Sequence, residues 1–446
     1  MSEIVQENTR IIPNRQTNLT KEQKEAVGLL SIGTFLEYFD LMLYVHMAVL
    51  LNELFFPKAD PHAATILSGA AFCSTYLLRP FGALIFGWIG DNIGRKATVI
   101  ITTFMMSLSC LVMANLPTYE QIGVSAAWLI TICRILQGMS SMGEIVGAKL
   151  YLTEMVKQST STRYATVALI TGCSALGATA ALGIASLVTS FGFNWRMAFW
   201  FGAGIALIGA VARTALKETP DFVNAKKRIK NIVEKANIDT EELKSNPAWQ
   251  EKVNRKTTIA YFLIECTGPI WFYIGYIYCG NILKNTFQYS AEQIIHQNFI
   301  VTLMDLLSCI IVIFLVYRIH PLKILKVQLI IFSIFSVICP ILLQNISSPM
   351  ELFFIQIFFT VVAPTGFPGF AVFCMHFPVF KRFTYTSFIF ALSRSLMFAA
   401  ASFGIVYLVD YFSHWGLLFM IIPILMGYAF AISHFKKLEM AIGSYD

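Results

Sequence analysis

Five ionisable residues stand in apolar runs of the first half of this chain. They are Glu37 and Asp40 in GTFLEYFDLMLY (33–44), Arg79 before Pro80, and Arg134 and Glu144 in RILQGMSSMGEIVGA (134–148). A charge at a bilayer centre costs roughly 2.5–3.5 kcal/mol on insertion scales, so such groups are either paired or do chemistry. Residues three and four apart share a helix face. Gly33, Glu37, Asp40 and Tyr44 therefore form one stripe, and Arg134, Gln137, Ser141 and Glu144 another. Three acids against two arginines leave one carboxyl over, and a buried acid without a partner avoids its charge by taking a proton. The chemistry on offer is reversible protonation inside a membrane. The competing reading is an ion-pair cluster that only fixes helix packing. A functional role is favoured because intramembrane ionisable groups mark substrate and proton pathways.

The elements that would position these groups are membrane helices. The chain has 446 residues, 56% hydrophobic and 13% charged, with a mean hydropathy of +0.65. Soluble domains carry about 25% charged residues, and a soluble core could not hide this much apolar surface. A spanning helix needs about 20 mostly apolar residues. About twelve such segments are predicted, near 26–50, 64–88, 97–115, 122–150, 164–190, 196–214, 257–281, 294–317, 326–344, 350–375, 385–410 and 415–435. One long polar stretch, 215–256, separates the first six from the last six. The expected fold is all-α: twelve transmembrane helices in two six-helix bundles, 26–214 and 257–435, joined by a central loop and flanked by polar tails 1–25 and 436–446. Residues 1–25 lack the apolar core of a cleaved signal peptide.

Lysine and arginine crowd alternate loops. With residue 1 inside, eleven cations between Arg213 and Lys256 join those of the first tail and the even-numbered turns, against Lys58, Arg196 and Lys284 outside. The positive-inside rule then predicts both termini in the cytoplasm and accounts for the net charge of +7 without nucleic acid. Nine cysteines, all in apolar segments and none in CxxC, read as packing residues. No nucleophile–base spacing, metal set or phosphate loop stands out, so neither an enzyme nor a cofactor is expected.

The most specific short signal is GWIGDNIGRKA (87–97). Gly87 and Gly90 permit close helix approach, Asp91 ends a helix, Gly94 makes a tight turn, and Arg95 and Lys96 anchor it. A carboxylate at Asp91 could sit at a neighbouring helix N-terminus, where the dipole favours it. The second half holds Glu265, Asp305, Arg394 and Asp410; Glu265 could reach Arg394 if the seventh and eleventh helices approach. His46 and His376 lie near segment ends and read as interfacial. Pro269, Pro364 and Pro368, beside Gly268, Gly366 and Gly369, interrupt apolar helices; breaks of this kind line transport paths or serve only as packing kinks. The aromatic stretch WFYIGYIY (271–278) could stack on a cation but reads first as packing or lipid contact.

The turn motif resembles the signature loop of the major facilitator superfamily. GTFLEYFDLMLY, LLRPFGALIFGWIGDNIGRK, RILQGMSSMGEIVGA, WRMAFWFG and LKETPDF, in that order across most of residues 33–222, are similar to one branch of it. That branch is the metabolite:proton symporters, including proline/betaine, alpha-ketoglutarate, shikimate and citrate carriers. The resemblance implies proton-driven uptake of a small polar metabolite, a zwitterion or an organic acid, by alternating access in a bacterial inner membrane. It implies a central cavity around Glu37, Asp40 and Arg134. It also implies a cytoplasmic gate of Asp91, Arg95, Glu154 and Arg163, with Asp91 capping an eleventh helix that begins near Thr384. The partners so implied are a small-molecule substrate, protons and the lipid bilayer, with the chain acting as a monomer. The chain departs from the pattern at Thr34 and Tyr38, and the loop expected to repeat the signature reads YRIHPLKILK (317–326). An uncoupled facilitator of the same fold, or a transporter-derived membrane sensor, are the alternatives.

Overall fold

The computed structural model describes residues 19–55, 76, 78–156, 159–191, 194–220, 222–224, 226–227 and 252–445. The predicted start of the second segment, most of the central loop, and the side chains of Tyr44 and Glu144 lie outside the described residues. Every regular element among the described residues is a helix.

The first set comprises α1 (Lys21–Phe55), α2 (Arg79–Asn92), α3 (Arg95–Asn115), α4 (Val124–Met155), α5 (Thr160–Phe191) and α6 (Arg196–Arg213). The second set begins with α7, which runs through Arg255–Glu265, Thr267–Phe272, a π-helical turn Tyr273–Tyr278 and Cys279–Asn285. It continues with α8 (Ala291–Arg318), α9 (Pro321–Gln344) and α10, composed of Pro349–Ile357, a π-turn Phe358–Val362 and, beyond a break, Phe370–Met375. Then follow α11 (Val379–Ala399 with a π-turn Ala400–Ile405 and Val406–Phe412) and α12 (Gly416–Ala441). Six stretches of described residues are long and apolar enough to cross a membrane: Lys21–Leu43, Arg95–Asn115, Thr160–Leu187, Glu292–Arg318, Pro321–Gln344 and Val379–Ala441.

Local chemistry sets the boundaries. Pro80 opens α2, Ser290 and Gln293 make a capping box for α8, and Ser348 caps α10 ahead of Pro349. His320 caps α9 ahead of Pro321, its Nδ1 accepting from the Leu322 amide at 3.2 Å. The α10 break holds Pro364, Gly366, Pro368 and Gly369, and its freed carbonyls find donors in neighbouring helices. Trp271 Nε1 donates to the Pro364 carbonyl at 2.8 Å and the Tyr428 hydroxyl to that of Thr365 at 2.7 Å. A break inside apolar surroundings is tolerated only when such partners exist.

The helices before and after the central loop meet along two seams, α5 against α8 and α2 against α11. Large apolar side chains such as Trp88, Trp128, Phe314 and Phe403 point outward and are exposed, as a lipid-facing surface requires.

Candidate functional site

Glu37, Asp40, Arg79 and Arg134 are all buried, between 2% and 6% exposed. Gln137 couples two of them. It accepts from Arg134 Nη1 at 3.0 Å and donates its amide to Asp40 Oδ2, so α1 and α4 are tied through a charged–neutral–charged bridge. Arg79 lies with its guanidinium 4.5 Å from the Tyr76 ring centre and within electrostatic reach of Glu37. Among the described residues its Nε and Nη2 have no hydrogen-bond partner. In the second set Glu265 on α7 meets Arg394 on α11 at 2.9 Å, and the Arg394 guanidinium sits 3.3 Å over the Phe390 ring.

A cavity of about 250 Å³ opens between the two sets. Tyr38 of α1 and Thr171 and Ser174 of α5 line one side; Phe272, Tyr276, Thr302, Asp305 and Thr360 line the other. Tyr276 and Thr360 both fall in π-turns, where the extra residue per turn re-aims side chains. Glu37, Asp40 and Arg134 were expected around the central cavity. None of the three is among its lining residues: α1 presents Tyr38 to the open side and Asp40 to Gln137 of α4. Asp305 holds the lining position that the sequence left without a role.

The second constellation surrounds the α2–α3 turn. Arg95, fully buried, pairs with Asp91 at 2.7 Å and with both oxygens of Glu154 at 3.2 Å, and donates to the carbonyls of Gly90 and, at 2.7 Å, Val379 of α11. Glu154 also takes Arg382 of α11 at 3.1 Å and the Thr219 hydroxyl at 2.9 Å. Asp91 accepts from the amides of Phe383 and Thr384 at 3.1 and 2.8 Å. The helix expected to begin near Thr384 begins earlier, at Val379 after Pro378, so Asp91 binds it inside its second turn. Close approach needs Gly87, where a Cβ would come within 2.7 Å of Thr384 Cα. Gly94 adopts φ +152°, and a Cβ there would strike the Glu218 carboxylate, which accepts from the Arg95 and Lys96 amides at 3.0 and 3.3 Å. Arg163 donates from Nε to the Val156 carbonyl at 2.7 Å.

Glu218 and Arg382 were missed by the sequence reading. LKETPDF carried Glu218 only as part of a matching string, and Arg382 sits in the weakly matching half. A further cluster was missed entirely. Glu439 of α12 meets His376 at 2.8 Å and His320 at 3.5 Å, and accepts from the Tyr164 hydroxyl of α5 at 3.4 Å. His376, read as interfacial, thus takes part in a cluster around the buried Glu439.

The major facilitator superfamily model matches residues 30–402. The chain is 30% identical over 283 residues to the proline/betaine transporter of Escherichia coli (strain K12), covering 60% of this chain and 54% of that protein. It is 35% identical over 229 residues to the inner membrane metabolite transport protein YhjE of the same organism, covering 48% and 50%. The matched stretch therefore spans about half the length of these curated relatives. Among solved structures, the proton:xylose symporter XylE bound to 6-bromo-6-deoxy-D-glucose superimposes with a TM-score of 0.72 at 15% identity, over 93% of this chain and 95% of that one. The human organic anion transporter MFSD10 gives 0.68 at 15% identity, over 93% and 100%. By the family match across most of its length, and with the fold in agreement, this chain belongs to the major facilitator superfamily.

Proposed function

We propose that this chain is a secondary active transporter that carries a small polar metabolite together with protons by alternating access. The reading places both termini in the cytoplasm of a bacterial inner membrane and takes the monomer as the working unit. The observation that carries it is the coexistence of two constellations. One is a closed network joining α2, α3 and α4 to α11, and the other is a cavity between the helix sets next to buried acids that can change charge. Opening the network would release Arg95 and Arg382 from Glu154 and expose the cavity to the opposite side. Glu37 and Asp40 would carry the proton, and Arg134, held through Gln137, would compensate Asp40 when it ionises. Protonation would then shift the balance between the two closed forms, as any ligand with different affinity for two states must.

The names of the relatives support a zwitterion such as proline or betaine; an organic acid belongs to the same branch. The test is uptake of labelled compounds into proteoliposomes. Accumulation above the outside concentration under an outside-acid gradient is expected, and its collapse with a protonophore. Equilibration indifferent to the gradient would favour an uncoupled facilitator, and binding without flux a sensor.

A further inference from the structure

The cavity between the helix sets has an uneven chemistry. Asp305 is the one charged residue among its described lining; no lysine or arginine joins it. The cations nearby are engaged elsewhere: Arg394 with Glu265, and Lys149 stacked 5.5 Å over the Phe370 ring. Asp305 sits in the middle of α8, far from either helix end, and among the described residues it makes no hydrogen bond and no ion pair. Around it the walls are aromatic and hydroxylic. Tyr276 reaches the Thr302 hydroxyl at 3.3 Å, one helical turn from Asp305, and the Phe272 and Tyr276 rings lie 5.1 Å apart. The volume of about 250 Å³ admits a guest about the size of eight water molecules.

We propose that Asp305 selects the substrate by its positive nitrogen: the cavity takes a small ammonium or quaternary ammonium compound, and a carboxylate on that compound contributes little. A cation entering beside Asp305 gives its side chain the partner it needs to ionise, and the carboxylate then supplies the counter-charge, while the π-faces of Phe272 and Tyr276 attract the cation and tolerate its methyl groups. An organic anion finds no cation on these walls, and its own charge opposes ionisation of Asp305. Simple organic acids are therefore rejected. This inference rests on reading the cavity as the transport site, and it narrows the choice left open there.

The test uses compounds of one shape that differ in charge. Glycine betaine, choline and 3,3-dimethylbutanoate share a trimethylated head; only the last lacks the positive nitrogen. Binding to the purified full-length protein in nanodiscs is measured by calorimetry, which needs no flux. Glycine betaine and choline should bind within a few-fold of each other, and 3,3-dimethylbutanoate at least about tenfold more weakly, the loss expected for a desolvated cation–π contact. Asp305→Asn should erase that preference, Asp305→Glu should keep it, and unchanged melting of each variant shows that the fold is retained. The proposal is overturned if the carbon isostere binds as well as betaine, if neither nitrogen compound binds, or if Asp305→Asn leaves the preference intact. It is also overturned if that variant alters only the pH dependence of binding, which would make Asp305 a proton carrier. Binding as described with no gradient-driven uptake would sink the symport reading and leave this one standing.

Discussion

At the α2–α3 turn the residue that starts the helix is Gly94, the buried acid is Glu154, and the closing cations are Arg95 and Arg382. At the α8–α9 turn the same roles fall to His320, Glu439 and His376. The first cluster crosses between the helix sets with permanent charges, since guanidinium stays protonated at any physiological pH. The second relies on imidazole rings. His320 Nδ1 accepts from the Leu322 amide, which puts the ring proton on Nε2, facing Glu439. Among the described residues its reach to the opposite set runs through Tyr164, by a long hydrogen bond to Glu439 at 3.4 Å and an edge-on ring contact with His320 at 5.5 Å. The comparison teaches that closure of this face is concentrated at the first turn, where several charge-assisted contacts converge on α11, and is lighter at the second.

That asymmetry can be broken in order of size. Arg95→Ala removes the cation shared by Asp91 and Glu154 and leaves two buried carboxylates short of a partner, which costs about 3–5 kcal/mol. A large fall in melting temperature is expected, together with faster amide exchange at Phe383 and Thr384, whose N–H groups Asp91 now holds. Gly87→Ala pushes a methyl into Thr384 Cα and should cost about 1–3 kcal/mol by overpacking. It should raise exchange at the same two amides, whereas a change confined to α2 would contradict the close approach. Glu439→Gln replaces the carboxylate that faces His376 with a neutral acceptor and, because that ring is partly exposed, should cost only about 1–2 kcal/mol. If it costs as much as Arg95→Ala, the two turns share the load equally. Lys217→Ala breaks the surface pair with Glu22, 70% and 58% exposed, and should leave the melting temperature unchanged.

Much of the first turn was legible because its chemistry is local. GWIGDNIGRKA places an acid, three glycines and two cations within one short string, and local spacing maps directly onto a helix end. The helices themselves were legible from apolar length. What spacing could not show was which distant groups converge. Arg382 and Glu218 approach Arg95 and Glu154 only after packing brings together segments more than a hundred residues apart. The stripe Glu37–Asp40 was visible, yet its direction was not. A helix pattern gives a face, and the neighbouring helices decide whether that face meets a cavity or Gln137 of α4. Asp305 looked like one acid in a weakly matching half until α5, α7 and α10 closed a cavity around it. The histidine–glutamate cluster was hidden for the same reason, since its members come from α8–α9, α10 and α12.

The coupling role given to Asp40 is tested most directly by comparing two transport modes in Asp40→Asn. An asparagine keeps the shape of the site and a partner for Gln137 but cannot carry a proton. Exchange of labelled for unlabelled substrate across proteoliposomes should continue in this variant, while accumulation driven by an outside-acid gradient should be lost. Undiminished gradient-driven accumulation in Asp40→Asn would contradict the coupling role.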